Sequence, residues 1–145
     1  MDFFTSMNVS AAGLSVQRTR INVTSSNIAN IETTRTPEGG PYLRRDVVVG
    51  AVPFSQTFDN IVEADINNQV HSAQVVNVEA DKAEPRLIYN PEHPDARPDG
   101  YVAMPNINPI TEMVDLLTAT RGYEANVSAL RAAKSMAMEA LKIGT

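Results

Sequence analysis

All nine prolines of the 145-residue sequence lie between Pro37 and Pro109, so both ends are free of the strongest helix breaker. This placement divides the chain into three: two ends able to run as uninterrupted helices and a proline-punctuated middle. The last stretch, NPITEMVDLLTATRGYEANVSALRAAKSMAMEALKIGT from Asn108 to Thr145, carries the clearer helix signals. Asn108 is a good N-cap, and Pro109 fits the first helical position, where its missing N–H would have no partner anyway. Glu112 and Asp115 suit the positive end, Lys142 the last turn, and Gly144 a left-handed C-terminal residue. Leu116, Tyr123, Leu130 and Ala137 recur every seventh residue, with Thr120, Val127, Lys134 and Leu141 four positions after each, which is the spacing of a coiled-coil seam. Such a helix spans roughly 54 Å and needs an equally long partner.

The first end shows the same period. Met7, Leu14, Ile21 and Ile28 are spaced by seven, with Ala11, Arg18 and Ser25 four positions after the first three. Its stripe is thin, and NVTSSNIAN, from Asn22 to Asn30, is rich in weak helix formers. Gly13 and Gly122, one in each helix, cost about 1 kcal/mol apiece relative to alanine. Both helices therefore depend on packing, either as a two-helix core within one monomer or as a self-assembly surface. Length favours assembly, because a middle segment of this size cannot cover two such helices all round. The thin first stripe also predicts that an isolated monomer has protease-sensitive ends around a folded centre, trimmed toward residues 35 to 105.

In the middle, Pro37 to Pro41 predict a turn and Tyr42 to Val49 a strand; Ala73 to Glu79 predict a second strand. Leu87 to Tyr89 and Tyr101 to Ala103 predict a hairpin whose loop is stiffened by Pro91, Pro94 and Pro98. Residues 54 to 70 are polar and weakly patterned, which predicts a loop or mobile insertion. The fold class expected is α+β: long terminal helices over 1–34 and 107–145, paired as a coiled coil, with a small β-rich domain over 35–106 inserted between them.

Charge follows the same division. Residues 32 to 106 hold twelve acids against six bases, while the two ends are nearly neutral. A solvated acidic centre between ends that face protein fits this pattern, and a net charge of −5 argues against nucleic acid as a partner. No apolar run is long enough for direct membrane insertion, and MDFFTSMNVS lacks a basic n-region and apolar core.

Cysteine is absent, which removes disulfides and thiolate chemistry. His71 and His93 lack helical zinc-site spacing, there is no GxSxG elbow, and Gly39-Gly40 runs into a proline that removes a phosphate-binding N–H. Neither catalysis, metal nor cofactor is expected. The N-x-S/T triplets at Asn8, Asn22 and Asn126 fall within the predicted helices, where a glycan would obstruct packing.

Three segments carry a resemblance to a known family. SSNIANIETTRTPEGGPYLRR (Ser25 to Arg45), YNPEHPDARPDGYVAMPNIN (Tyr89 to Asn108) and EMVDLLTATRGYEANVSALRAAKSMAMEALKIGT (Glu112 to Thr145) resemble, in order, signatures of the bacterial flagellar basal-body rod proteins, closest to the C-type branch of the proximal rod. The third includes Arg121, Tyr123, Glu124, Ala125 and Asn126 of the shared C-terminal motif. Ile31 to Thr34 departs from the commoner Asn-Thr-Pro-Gly linker, and Val52 to Gln69 matches no motif.

The resemblance implies a non-enzymatic subunit of the shaft that crosses the periplasm, exported through the flagellar type III apparatus without a cleavable signal. Its implied partners are copies of itself, other rod subunits, and basal-body ring or adaptor proteins. The expected assembly interface joins Met7, Leu14, Ile21 and Ile28 to Leu116, Tyr123, Val127, Leu130, Ala137 and Leu141, with Asn27 and Asn30 from the Asn-Ile-Ala-Asn motif. A soluble coiled-coil adaptor or export chaperone is the alternative, since small acidic helical proteins also serve that way.

Overall fold

A computed structural model describes residues 3–53 and 71–143. Two long helices, α1 (Phe3–Ala29) and α2 (Pro109–Ile143), pack against each other, and four short strands lie between them in sequence. The fold is α+β, as expected. Helix α2 begins as its sequence dictates: the N–H of Ile110 donates to Asn108 Oδ1 at 3.0 Å, and that of Glu112 donates to the Asn108 carbonyl at 3.1 Å. The cap satisfies one of the donors a helix start leaves open. Gly144, expected as the closing residue, lies outside the described residues.

Helix α1 ends without glycine or proline. Asn30 terminates it by bending back: its N–H and its Nδ2 both donate to the Ser26 carbonyl, at 3.1 and 2.9 Å, and its Oδ1 accepts from Thr33 Oγ1 at 3.1 Å. An asparagine can occupy carbonyls at a helix end in this way because its side chain competes with the backbone for them.

The helices run antiparallel in one constant register. Gly13 faces Asn126, Gln17 faces Gly122, and Asn27 bonds Glu112, so each step forward along α1 is matched by an equal step back along α2. The contact is close where it is glycine-lined. A Cβ on Gly13 would stand 2.9 Å from both amide heteroatoms of Asn126, and one on Gly122 would stand 3.1 Å from the Gln17 amide.

The residues buried along α1 are Thr5, Val16, Thr24 and Asn27; along α2 they are Glu112, Ala119 and Ala133. The intramolecular seam is built from small and polar side chains, with most of the Leu and Ile stripe residues half-buried beside it. The physical reason is the spacing itself: where two backbones approach over glycine and alanine, large aliphatic side chains must lie beside the contact line.

The middle is β-rich, as expected, and its strands form two separate pairs. Strands β1 (Arg45–Pro53) and β2 (His71–Ala80) form one antiparallel ribbon, bulged between Val48 and Val49, that packs on α1. Strands β3 (Arg86–Tyr89) and β4 (Tyr101–Met104) form a second, separate hairpin. The expected hairpin is thus present. Its loop closes at Gly100, whose φ of 80° suits glycine and whose missing Cβ leaves room for the Tyr89 ring. The loop is tied to the α1 exit, where Asp95 pairs with Arg35 at 2.6 Å and accepts from Thr34 Oγ1 at 2.8 Å. Residues 54–70, the expected insertion, lie outside the described residues.

Candidate assembly interface

One end of the helix pair is closed by a buried polar knot. Asn27 lies in the last turn of α1, and Tyr42, Arg44 and Arg45 follow on the segment that leads into β1. Asn27 Nδ2 donates to the Arg45 carbonyl at 2.8 Å and to Glu112 Oε2 at 3.0 Å. Its Oδ1 accepts from the Arg45 N–H at 3.0 Å and from the Tyr42 hydroxyl at 3.0 Å. Two donors and one acceptor oxygen are thereby fully used, which no apolar side chain could do.

Glu112 completes the knot from α2. Its Oε1 accepts from Arg44 Nε at 2.6 Å, and Arg44 also lies 3.6 Å from Asp46 and 3.8 Å from Asp115. Both Asn27 and Glu112 are 1% exposed. A carboxylate this deep is tolerated because it is paired, hydrogen-bonded and in the first turn of a helix, where the backbone dipole favours negative charge. Burial alone would lower the Arg44 pKa, but its bond to Glu112 and the nearby acids outweigh burial and raise it.

This knot explains why β1 starts later than Tyr42. The Tyr42 N–H donates to the Thr33 carbonyl at 3.0 Å while its side chain turns inward, and the Arg44 carbonyl accepts from Asp81 at 2.7 Å. Asn27 and Asn30, expected at an intersubunit surface, are engaged within the chain. Glu112 was legible as a helix-start acid, but nothing local in the sequence marks it as buried.

The opposite end of the pair has the reverse character. Phe3, Phe4, Ala133, Met136, Ala137 and Leu141 line an open groove of about 720 Å³. Phe4 and Met136 are exposed, and Leu141 is 73% exposed. The remaining stripe residues flank the seam: Leu14, Ile21, Ile28, Leu116, Val127, Leu130 and Ala137 are half-buried, while Met7 and Tyr123 are each 37% exposed. The structure therefore gathers the stripe residues near one helix pair without pairing them all with one another. An exposed apolar groove of this kind is a common mark of a protein interface. No helix among the described residues is long and apolar enough to cross a membrane.

Comparison with known proteins agrees over nearly the whole chain. Residues 7–35 match the family described as flagella basal body rod protein, and residues 99–143 match the flagellar basal body rod FlgEFG protein C-terminal family. The flagellar basal-body rod protein FlgC of Bacillus subtilis (strain 168) is 42% identical over 151 residues, covering 99% of each chain. The FlgC proteins of Borreliella burgdorferi and Escherichia coli O6:H1 are 40% and 34% identical, covering 99% and 94% of this chain and 98% and 94% of theirs. With that coverage at both ends and through the knot, the chain belongs to the FlgC family of flagellar basal-body rod proteins.

Proposed function

We propose that the chain is a structural subunit of the flagellar proximal rod that assembles with its own copies and with other rod subunits through the terminal helix pair. Its place is the periplasm-spanning rod, reached through the flagellar type III export apparatus, and it contacts basal-body ring or adaptor proteins there. The observation that supports the assembly surface is the exposed apolar groove between Phe4, Met136 and Leu141, at the end of the pair away from the knot. Apolar side chains left on the outside of a helix pair are available to neighbours, and a shaft grows through contacts that repeat without closing.

The test is to replace Met136 and Leu141 together by aspartate and follow motility and basal bodies. Synthesis and folding should persist, because both side chains are exposed, while rod completion and swimming should fail. Normal basal bodies in the double variant would refute the groove as an assembly surface. Recovery of the wild-type chain in the cytosol instead of with detergent-extracted basal bodies would favour the adaptor or chaperone reading.

A further inference from the structure

A second groove, of about 290 Å³, lies between the two helices and the foot of β1. Its lining includes Arg20, Arg44, Arg45, Asp46 and Asp115. The two acids are answered by Arg44, which lies 3.6 and 3.8 Å from them and also bonds the buried Glu112. Arg20 and Arg45 are different. Among the described residues neither has a carboxylate within 4.0 Å, both are exposed, and the Arg45 guanidinium rests 5.9 Å above the Tyr42 ring. Both arginines border this groove, and an incoming carboxylate would meet positive charge that no described acid answers. The planar fork of arginine fits a carboxylate with two parallel bonds.

The same chain offers the complement. Glu79, Asp81 and Glu84 fall within six residues, outnumbering the one base among them, Lys82; all three acids are exposed, and among the described residues none has a cation within 4.0 Å. This stretch leaves β2 beside the groove, with Ala80 paired to Arg45 across the ribbon and the Asp81 N–H bonded to the Arg44 carbonyl. Even so, no ion pair forms between the stretch and Arg20 or Arg45 of its own chain. Among the described residues, both sets of charges are without an ion pair.

We propose that Arg20 and Arg45 bind the Glu79–Glu84 stretch of a neighbouring copy of this chain. This rests on the chain being an assembling subunit, and it assigns to that assembly a polar contact separate from the apolar groove at the far end. Charge complementarity of this sort sets partner choice and orientation more than it adds raw affinity. It also weakens with added salt.

The experiment is a charge exchange in the full chain. R20E/R45E and E79K/D81K/E84K are each prepared, and self-association is followed by sedimentation at low and high salt, alone and mixed. Each variant alone should associate about tenfold more weakly than wild type. The mixture should recover, and wild-type association should fall with salt. Thermal midpoints should stay near wild type, since all five side chains are exposed.

Undiminished association of R20E/R45E, failure of the mixture to recover, or no association of the wild-type chain at its highest attainable concentration would each overturn the proposal. Recovery with basal bodies is measured in parallel. A wild-type chain that shows the exchange in solution but does not copurify with basal bodies leaves the contact standing and removes the rod reading.

Discussion

The two ends of the helix pair solve opposite problems. At the Asn27–Glu112 end, the buried polar side chains of Asn27 and Glu112 are fully partnered. At the Phe3–Leu141 end, large apolar side chains face outward around an open groove. A monomer optimised for its own stability would bury the second set. The difference indicates that intramolecular order is supplied mainly by the polar end, while the apolar end is left to intermolecular contact.

That division can be broken most forcefully at Glu112. Glu112→Ala should cost about 3 kcal/mol in urea unfolding, because it leaves Arg44 and Asn27 without their buried partner. A loss under about 1 kcal/mol would mean that the knot does not hold the pair. The pH profile sharpens the same point. Because the Arg44 pKa is raised in the folded state, its contribution is complete below the unfolded-state value and is lost only as pH climbs through the folded one. Stability attributable to Arg44 should therefore stay flat through neutral and mildly alkaline pH.

Asn27→Ala comes next, at about 2 kcal/mol, since it leaves the Arg45 N–H and carbonyl without their side-chain partner and removes one bond of the Tyr42 hydroxyl. Midway along the pair the sign reverses. Gln17 Oε1 is buried against Gly122 with no hydrogen-bond donor among the described residues, so Gln17→Met should stabilise by about 1 kcal/mol, seen as a higher thermal midpoint. At the far end Leu141→Asp should change monomer stability by less than about 0.5 kcal/mol, whatever it does to assembly. A large destabilisation there would show that the apolar end also holds the monomer together.

These contrasts mark what the sequence can and cannot convey. Proline placement, the Asn108-Pro109 cap and the Leu87–Tyr89/Tyr101–Ala103 hairpin act locally, and each appears as read. The seam was read from the largest apolar residues at heptad spacing, yet the buried positions include Thr24, Asn27, Glu112 and Ala119, with Gly13 and Gly122 at the closest approach. Small and polar residues carry no hydrophobic period, so their burial is visible only once the opposite helix is in place. Glu112 meets Arg44 across 68 positions, a separation at which no local pattern exists. The four strands were legible, but not their division into a ribbon and a separate hairpin, because strand signals do not reveal which strands share a sheet.

The antiparallel register has a practical side. Phe3 and Leu141 line the same groove, so additions before the first helix and after the second emerge at one end of the molecule. An affinity tag or fluorophore on either terminus would crowd the same surface, and moving it from one terminus to the other would not relieve a block. A label meant to leave that surface free belongs on the hairpin loop near Glu92, which Asp95 ties to Thr34 and Arg35 beyond the exit of α1.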